Sequence, residues 1–191
     1  MEQFVLASAS PRRRELLLQI GFSFSIIPSQ VEEVFENGKS PEELSILLAK
    51  KKAVAVVSTL PENFWVLGVD TFIWHKNQFI GKPRDREEAR SMLKAFSGST
   101  HKVISGLALV QKRNRWITDY SCTMVTFRDL SEKELEWYLD TEEWVGVAGA
   151  YRIQEKAACF INQIDGSFSN VMGLPIHTFY DMLRRSNYPF P

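Results

Sequence analysis

Near the start of the chain, a continuous apolar run is followed by apolar residues at helical spacing. Phe4-Val5-Leu6-Ala7 is a short apolar run of the kind that forms a strand. Ser10-Pro11 then combines a helix N-cap with a proline at the first helical position, and Gly21 is a stop signal. Between them, apolar residues recur at helical spacing at Leu16, Leu17 and Ile20. The first 21 residues therefore predict a strand, a loop and a helix.

Capping boxes mark the start of three further helices. In this motif a side chain at the helix start and a carboxylate three residues later bond each other's backbone N–H groups. The pairs are Ser40 with Glu43, Asp85 with Glu88, and Ser131 with Glu134. Helical periodicity follows each pair and returns near the C-terminus at Ile176, Phe179, Tyr180 and Leu183. The pattern predicts four helices after the first.

The remaining apolar runs have the length and residue types of strands. The run from Trp65 to Trp74 leads through a turn at residues 75–78 into Phe79-Ile80, which indicates a hairpin. Further strands are predicted at 101–111, 116–127 and 158–164, while 28–40 is polar enough to form a long loop. Alternating strands and helices with hairpins predict an α/β fold: a mixed twisted sheet with flanking helices.

Composition fits one domain that spans residues 1–191. With 45% hydrophobic residues the chain can bury a sizeable core, and no run approaches the roughly 18 apolar residues of a membrane span. Basic and acidic residues balance at 23 each, so no global field favours nucleic acid or an anionic membrane. We expect a cytoplasmic protein whose two cysteines, Cys122 and Cys159, are buried thiols without metal-ligand spacing.

The loop from Ser8 to Arg13 is the strongest candidate for an anion site. Arg12, Arg13 and Arg14 occupy the first turn of a predicted helix, where the macrodipole already favours negative charge. Cations there destabilise the helix slightly unless an anion docks. The hydroxyls of Ser8 and Ser10, backbone amides and a guanidinium of Arg12 or Arg13 would together bind phosphate oxygens. The alternative is that Ser10 only caps the helix and the arginines are solvated.

A carboxylate inside an apolar strand is the second candidate. Asp70 interrupts the run 66–73, and an unpaired buried charge there would cost several kcal/mol. Asp70 would therefore need a cation, a metal or a proton, and a Mg²⁺ ligand or a base that orients water fits. Glu32 or Glu33 would supply a second carboxylate, although ordinary surface charge is the better interpretation of these two from the residues alone. Lys82 would pair with Asp70 or neutralise a phosphate, and Lys52 on the second helix would act in the same way.

Several other functions lack their motifs. Neither the Walker phosphate loop, the dinucleotide Gly-x-Gly-x-x-Gly pattern nor the Gly-x-Ser-x-Gly nucleophile elbow occurs. The three histidines, His75, His101 and His177, are scattered and are interpreted as structural or surface residues.

Taken together, these segments resemble the Maf family of nucleoside triphosphate pyrophosphatases over nearly the whole chain. The stretches that carry the resemblance are 6–17, 48–53, 68–71, 81–85, 97–103, 125–128, 148–154 and 170–175. The resemblance implies an elongated two-lobed architecture with a central cleft. It also implies hydrolysis of a nucleoside triphosphate to its monophosphate and pyrophosphate with a divalent cation, Mg²⁺ or Mn²⁺, and a homodimer.

The resemblance also implies roles for particular residues. Asp70, Glu33 and Lys82 would be catalytic, with Asp70 as general base and Glu33 and Asp70 as metal ligands. The triphosphate would be bound by a larger set: Ser8, Ser10, Arg12, Arg13, Lys52 and Thr71. Gln154 matches the position associated with base recognition in members that act on dTTP and UTP, since an amide pairs with a pyrimidine edge through one donor and one acceptor.

Two departures from the family pattern lie near Gln154. Val147 stands where a lysine is frequent, and Glu155-Lys156-Ala157 replaces a glycine-rich stretch. Both bear on substrate preference more than on phosphate chemistry. Two other functions stay open: a nucleotide-binding regulator of cell division without catalysis, which the intact carboxylates disfavour, and a purine-editing triphosphatase, which Gln154 and the serine-arginine loop disfavour.

Overall fold

A computed structural model describes residues 3–32, 38–112 and 115–189 of the chain. The strands are β1 (Gln3–Leu6), β2 (Ser25–Ile26), β3 (Phe64–His75), β4 (Gln78–Ile80), β5 (Thr100–Gln111), β6 (Arg115–Phe127) and β7 (Ile161–Asp165). The helices are α1 (Pro11–Gln19), α2 (Pro41–Val57), α3 (Arg86–Phe96), α4 (Glu132–Leu139), α5 (Phe168–Val171) and α6 (Ile176–Ser186). Two 3₁₀ turns span Ala148–Ala150 and Lys156–Phe160. Among these helices, none is long and apolar enough to cross a membrane.

The strands described here form one mixed sheet in the order β2-β1-β3-β5-β6-β7, with β4 paired to β3. β1 is parallel to β2 and β3, whereas β4 and β7 pair antiparallel with β3 and β6. The predicted α/β class, with a mixed sheet and flanking helices, is confirmed.

Two local predictions are wrong. Glu88 does not complete a capping box with Asp85, because its carboxylate accepts from the backbone N–H and the Nε of Arg84, both at 2.8 Å. The segment before Ile161 is a 3₁₀ turn and not a strand. Ala157 and Phe160 are both buried, and residues three apart share a face of a helical turn but lie on opposite faces of a strand.

Both thiols were expected to be buried, and neither is. Cys159 lies on the outer face of this 3₁₀ turn and is exposed, and Cys122 is half-buried.

The chain divides into two compact units. The first unit comprises residues 1–71, 104–121 and 173–191, and the second comprises 72–103 and 122–172. Edge-to-face rings fill part of the first core, where Phe4 packs on Phe22, Phe179 and Tyr188 at centroid distances of 4.7 to 5.8 Å. The second core surrounds Phe96, which stacks on His101.

Two histidines are structural members of the second core. His101 is 1% exposed, and its Nε2 lies 2.8 Å from the Tyr151 hydroxyl. Burial lowers the pKa of His101 to about 3, with a smaller contribution from nearby His75. The imidazole is therefore neutral in the folded protein near pH 7, as expected of a packing residue.

Helix α2 packs closely on β3 at a glycine. A Cβ at Gly68 would lie 2.1 Å from the Ala49 carbonyl oxygen and 2.9 Å from the Ala53 Cβ. Because side chains two apart on a strand share a face, this contact also sets the distance between α2 and Asp70. Gly68 thus helps to position two predicted site residues, Lys52 and Asp70.

Replacing Gly68 with alanine is expected to lower the free energy of unfolding by about 3 kcal/mol, because the helix must shift to admit the methyl group. Urea denaturation measures this change. Gly81→Ala is the matched control, since no atom lies within 4 Å of its added Cβ, and it should change stability by less than about 0.5 kcal/mol. Equal stability of the two variants would contradict the prediction.

Candidate active site

The loop between β1 and α1 lies alongside β3. Leu6 is paired with Leu67, and the Ala7 N–H continues the ladder by donating to the Leu67 carbonyl at 2.9 Å. β1 ends there while β3 runs on through Asp70 and Thr71. The parallel pairing therefore brings the serine-bearing loop next to this part of β3.

Ser10 caps α1 as its sequence predicts. Its Oγ accepts from the Arg13 N–H at 3.5 Å, and Pro11 occupies the first helical position. Capping alone does not account for the loop, because Ser8 and the Arg13 side chain are joined in a separate set of bonds.

The Ser8 hydroxyl is buried and already accepts two hydrogen bonds. The donors are the Ser10 N–H at 3.2 Å and the Arg13 Nη1 at 2.9 Å. A serine hydroxyl has two lone pairs and one hydrogen, so the hydrogen remains to be donated. No acceptor for it is found among residues 3–32, 38–112 and 115–189. The oxygen of a bound anion would fit this position.

The Arg13 guanidinium is held at three points of the first unit. Nε donates to the Gly173 carbonyl at 2.8 Å, Nη1 to Ser8, and Nη2 to the Thr71 Oγ1 at 3.1 Å. Gly173 has a φ of +111°, which disfavours any residue with a side chain. The planar fork of an arginine matches three acceptors in fixed directions, so this cation is preorganised.

Thr71 connects Arg13 to a residue that the sequence analysis missed. The Thr71 Oγ1 lies 2.8 Å from the Ser105 Oγ and 3.3 Å from the Gly173 carbonyl oxygen. Ser105 is fully buried in β5, where it interrupts an apolar run. That interruption is the sequence signal that would have identified it. We call Ser8, Arg13, Thr71, Ser105 and Gly173 the Arg13 cluster.

Asp70 forms a buried ion pair with Lys52. The Lys52 Nζ lies 2.5 Å from the Asp70 Oδ1, and the two side chains are 11% and 6% exposed. Alternation along β3 places Asp70 with Gly68 on the face toward α2, and Thr71 on the opposite face. Lys52 is therefore the cation that a buried carboxylate at this position requires.

The other predicted residues are located as follows. Arg12 is half-buried in the first turn of α1, whereas Lys82 is exposed and Gln154 half-buried in the second unit. The Gln154 amide forms no hydrogen bond with any other described residue. Glu33 lies outside the described residues, so its predicted role stays a prediction.

Of the carboxylates predicted to hold a metal, Asp70 is buried and Glu32 is exposed, while Glu33 lies outside the described residues. Within 3–32, 38–112 and 115–189 no three His, Cys, Asp or Glu side chains form a group that would hold an ion. Asp70 nevertheless supplies a hard oxygen donor, and Mg²⁺ is commonly bound through one or two carboxylates together with substrate phosphates. The donor type fits a cation that arrives with a phosphorylated ligand.

A family model described as "Maf-like protein" matches residues 3–186. The chain belongs to the Maf family. The predicted resemblance is thus confirmed, and the match includes both the Arg13 cluster and the Asp70–Lys52 pair.

Individual Maf proteins are similar over almost their full length. The chain is 43% identical over 185 residues to a dTTP/UTP pyrophosphatase of Alkaliphilus oremlandii, covering 96% of each chain. It is also 43% identical to a dTTP/UTP pyrophosphatase of Bacillus cytotoxicus, covering 92% of this chain and 91% of that one. Among solved structures, a HAM1 protein of Coxiella burnetii aligns with a TM-score of 0.46 at 14% identity, covering 97% and 100% of the two chains.

Both departures of this Maf chain from the family pattern lie among the described residues. Val147 is buried at 4% exposure before the first 3₁₀ turn. Glu155 has a φ of −117°, outside the left-handed region, so no glycine is required there.

Proposed function

We propose that this chain hydrolyses nucleoside triphosphates of the dTTP and UTP type to the monophosphate and pyrophosphate. The observation that carries the proposal is the Arg13 cluster, a preorganised cation and a hydroxyl donor at a helix N-terminus. The printed activity of relatives 43% identical over most of the chain supports the same reaction.

The Arg13 cluster is suited to bind the triphosphate. The first turn of α1 offers backbone N–H groups and the positive end of its dipole. The Ser8 hydroxyl hydrogen adds a neutral donor, and Arg13 and Arg12 add charge. Charge-assisted hydrogen bonds of this type each contribute about 1.5–3 kcal/mol, so the cluster would supply much of the binding energy.

A divalent cation would be held by Asp70 and by Glu33, the second carboxylate that the family resemblance implies. When bound, it would neutralise charge on the phosphate oxygens. Lys52 compensates the buried charge of Asp70 in the protein described here. With substrate present, the same ammonium would face phosphate oxygens, and the family resemblance implies a catalytic role for Lys82.

Asp70 would act as general base on the attacking water. The water oxygen bonds to the α-phosphorus, the bond between that phosphorus and the α–β bridging oxygen breaks, and pyrophosphate leaves. The proton lost by the water passes to the Asp70 carboxylate. Such a reaction depends on positioning and charge stabilisation more than on covalent chemistry with the protein.

Base recognition is assigned to Gln154. Its amide has one donor and one acceptor side, as a pyrimidine edge requires. Because no other described residue bonds it, the amide is available to a base.

A substrate panel tests this function. The purified protein with Mg²⁺ or Mn²⁺ should release pyrophosphate from dTTP and UTP faster than from CTP, GTP or 7-methyl-GTP. If no pyrophosphate were released from any of these nucleotides while calorimetry still showed nucleotide binding, the chain would be a nucleotide-binding regulator and not an enzyme. Preference for a purine would refute the assignment of Gln154.

A further inference from the structure

A single buried carboxylate holds the segment that follows Gln154. Glu143 lies just after α4 and is 9% exposed. Its Oε2 accepts from the Lys156 backbone N–H at 3.0 Å, and its Oε1 accepts from the Lys156 Nζ at 2.5 Å. Both oxygens of one side chain are thus bonded to the backbone and the side chain of one residue.

This carboxylate replaces a missing local cap. Lys156 begins the second 3₁₀ turn, and the residue before it, Glu155, makes no side-chain cap hydrogen bond. The first N–H groups of such a turn have no partner within it. Glu143, 13 positions earlier in the chain, supplies the acceptor, so the start of the turn is fixed by a buried anion.

The other side of Gln154 is also anchored. The Arg152 N–H donates to the Tyr138 hydroxyl at 3.3 Å, and the Arg152 Nη1 pairs with Glu155 at 3.3 Å. Gln154 therefore lies between two fixed points, the Tyr138 bond before it and the Glu143 bonds after it. Within the second unit, a backbone that is hydrogen-bonded on both sides presents an amide with no hydrogen-bond partner among the described residues.

We propose that Glu143 is a positioning residue that gives Gln154 its power to select the base. The proposal rests on the proposed function. An amide distinguishes donor from acceptor on a base edge only when its own orientation is fixed, because a mobile amide turns to suit either pattern. Glu143 fixes the backbone from which this amide extends.

Two variants separate the effect of the Glu143–Lys156 bonds on base selection from their effect on stability. E143M/K156M replaces the ion pair, in which the Glu143 side chain is 9% and the Lys156 side chain 53% exposed, with apolar side chains of similar length. K156M alone leaves the backbone N–H to Glu143 bond in place. Glu142→Met is the matched control, since Glu142 is the adjacent exposed carboxylate.

The readout is the ratio of kcat/KM for dTTP to that for CTP, with pyrophosphate release as the assay and melting temperature as the check on folding. E143M/K156M should lower this ratio about tenfold through KM, with kcat for dTTP within about twofold of the unmodified protein. K156M and E142M should each change the ratio less than about threefold. Adding Q154A to E143M/K156M should cause no further loss, because both changes remove one interaction.

Three results would overturn the inference: an unchanged ratio in E143M/K156M, a fall in kcat for every substrate alike, or losses that add fully with Q154A. If E143M/K156M does not fold, E143Q serves instead, since it removes the charge and keeps an acceptor. It should then lower the ratio more than the Glu142→Met control does and no more than Q154A does. No change in the ratio, or a loss larger than that of Q154A, would overturn the inference. Absence of pyrophosphate release from the unmodified protein would instead refute the proposed function.

Discussion

Pyrophosphate release by Asp70→Asn is expected to be slower by on the order of 10³-fold, because a positioned general base contributes about 10² to 10⁴ to a rate. Asparagine has the shape of aspartate but cannot take the proton of the attacking water. Nucleotide binding should persist, since the Arg13 cluster is unchanged. Single-turnover kinetics and calorimetric titration of the nucleotide measure the two effects separately.

The control for this prediction is the free energy of unfolding of the same variants. Asparagine leaves the Lys52 ammonium buried at 11% exposure beside a neutral partner, and breaking such a pair costs about 3–5 kcal/mol. The double variant D70N/K52M removes both charges and should recover much of that stability without recovering turnover. Recovery of both together would mean that Asp70 acts only through its ion pair.

Arg13→Lys is expected to lower kcat/KM for a triphosphate by on the order of 10²-fold, although the charge is kept. A lysine ammonium is a point charge and cannot bond the Gly173 carbonyl, Ser8 and Thr71 in the three directions that the guanidinium satisfies. The variant would leave acceptors of the cluster unpaired and release the Ser8 hydroxyl from its fixed position. Steady-state kinetics with dTTP measure the loss.

Arg14→Lys is the control for charge at the helix start. Arg14 follows Arg13 on α1 and is exposed, so its replacement should change kcat/KM less than about twofold. If R13K and R14K had equal effects, the first turn of α1 would act only through its net charge, and the geometry of the cluster would be irrelevant to binding.

Elements with strong local signals were predicted well. Ser40 and Glu43 form the expected capping box of α2, and Ser131 and Glu134 that of α4. Such caps are local hydrogen bonds, so the sequence contains all the atoms that make them. Asp85 and Glu88 fit the same pattern, but Arg84 competes for the Glu88 carboxylate. The capping-box rule considers only the N-cap residue and the residue three positions later, so it does not include Arg84.

Segments that depend on distant packing were predicted less well. Residues 158–160 have the apolar content of a strand, yet they form a 3₁₀ turn that buries Ala157 and Phe160. Which face of a short segment meets the core is decided by the rest of the fold. Cys159 is exposed for the same reason.

For the site, the sequence by itself determined the chemistry: two serines and an arginine pair at a helix start, a carboxylate within an apolar strand, and the need for a cation beside it. Only the tertiary structure decided the partners. Lys52 reaches Asp70 because Gly68 lets α2 approach β3. Arg13 is oriented by Gly173, 160 positions away in the chain. A residue's charge and hydrogen-bonding capacity belong to its own side chain, whereas a hydrogen bond requires two groups at a set distance, and only the folded chain sets that distance.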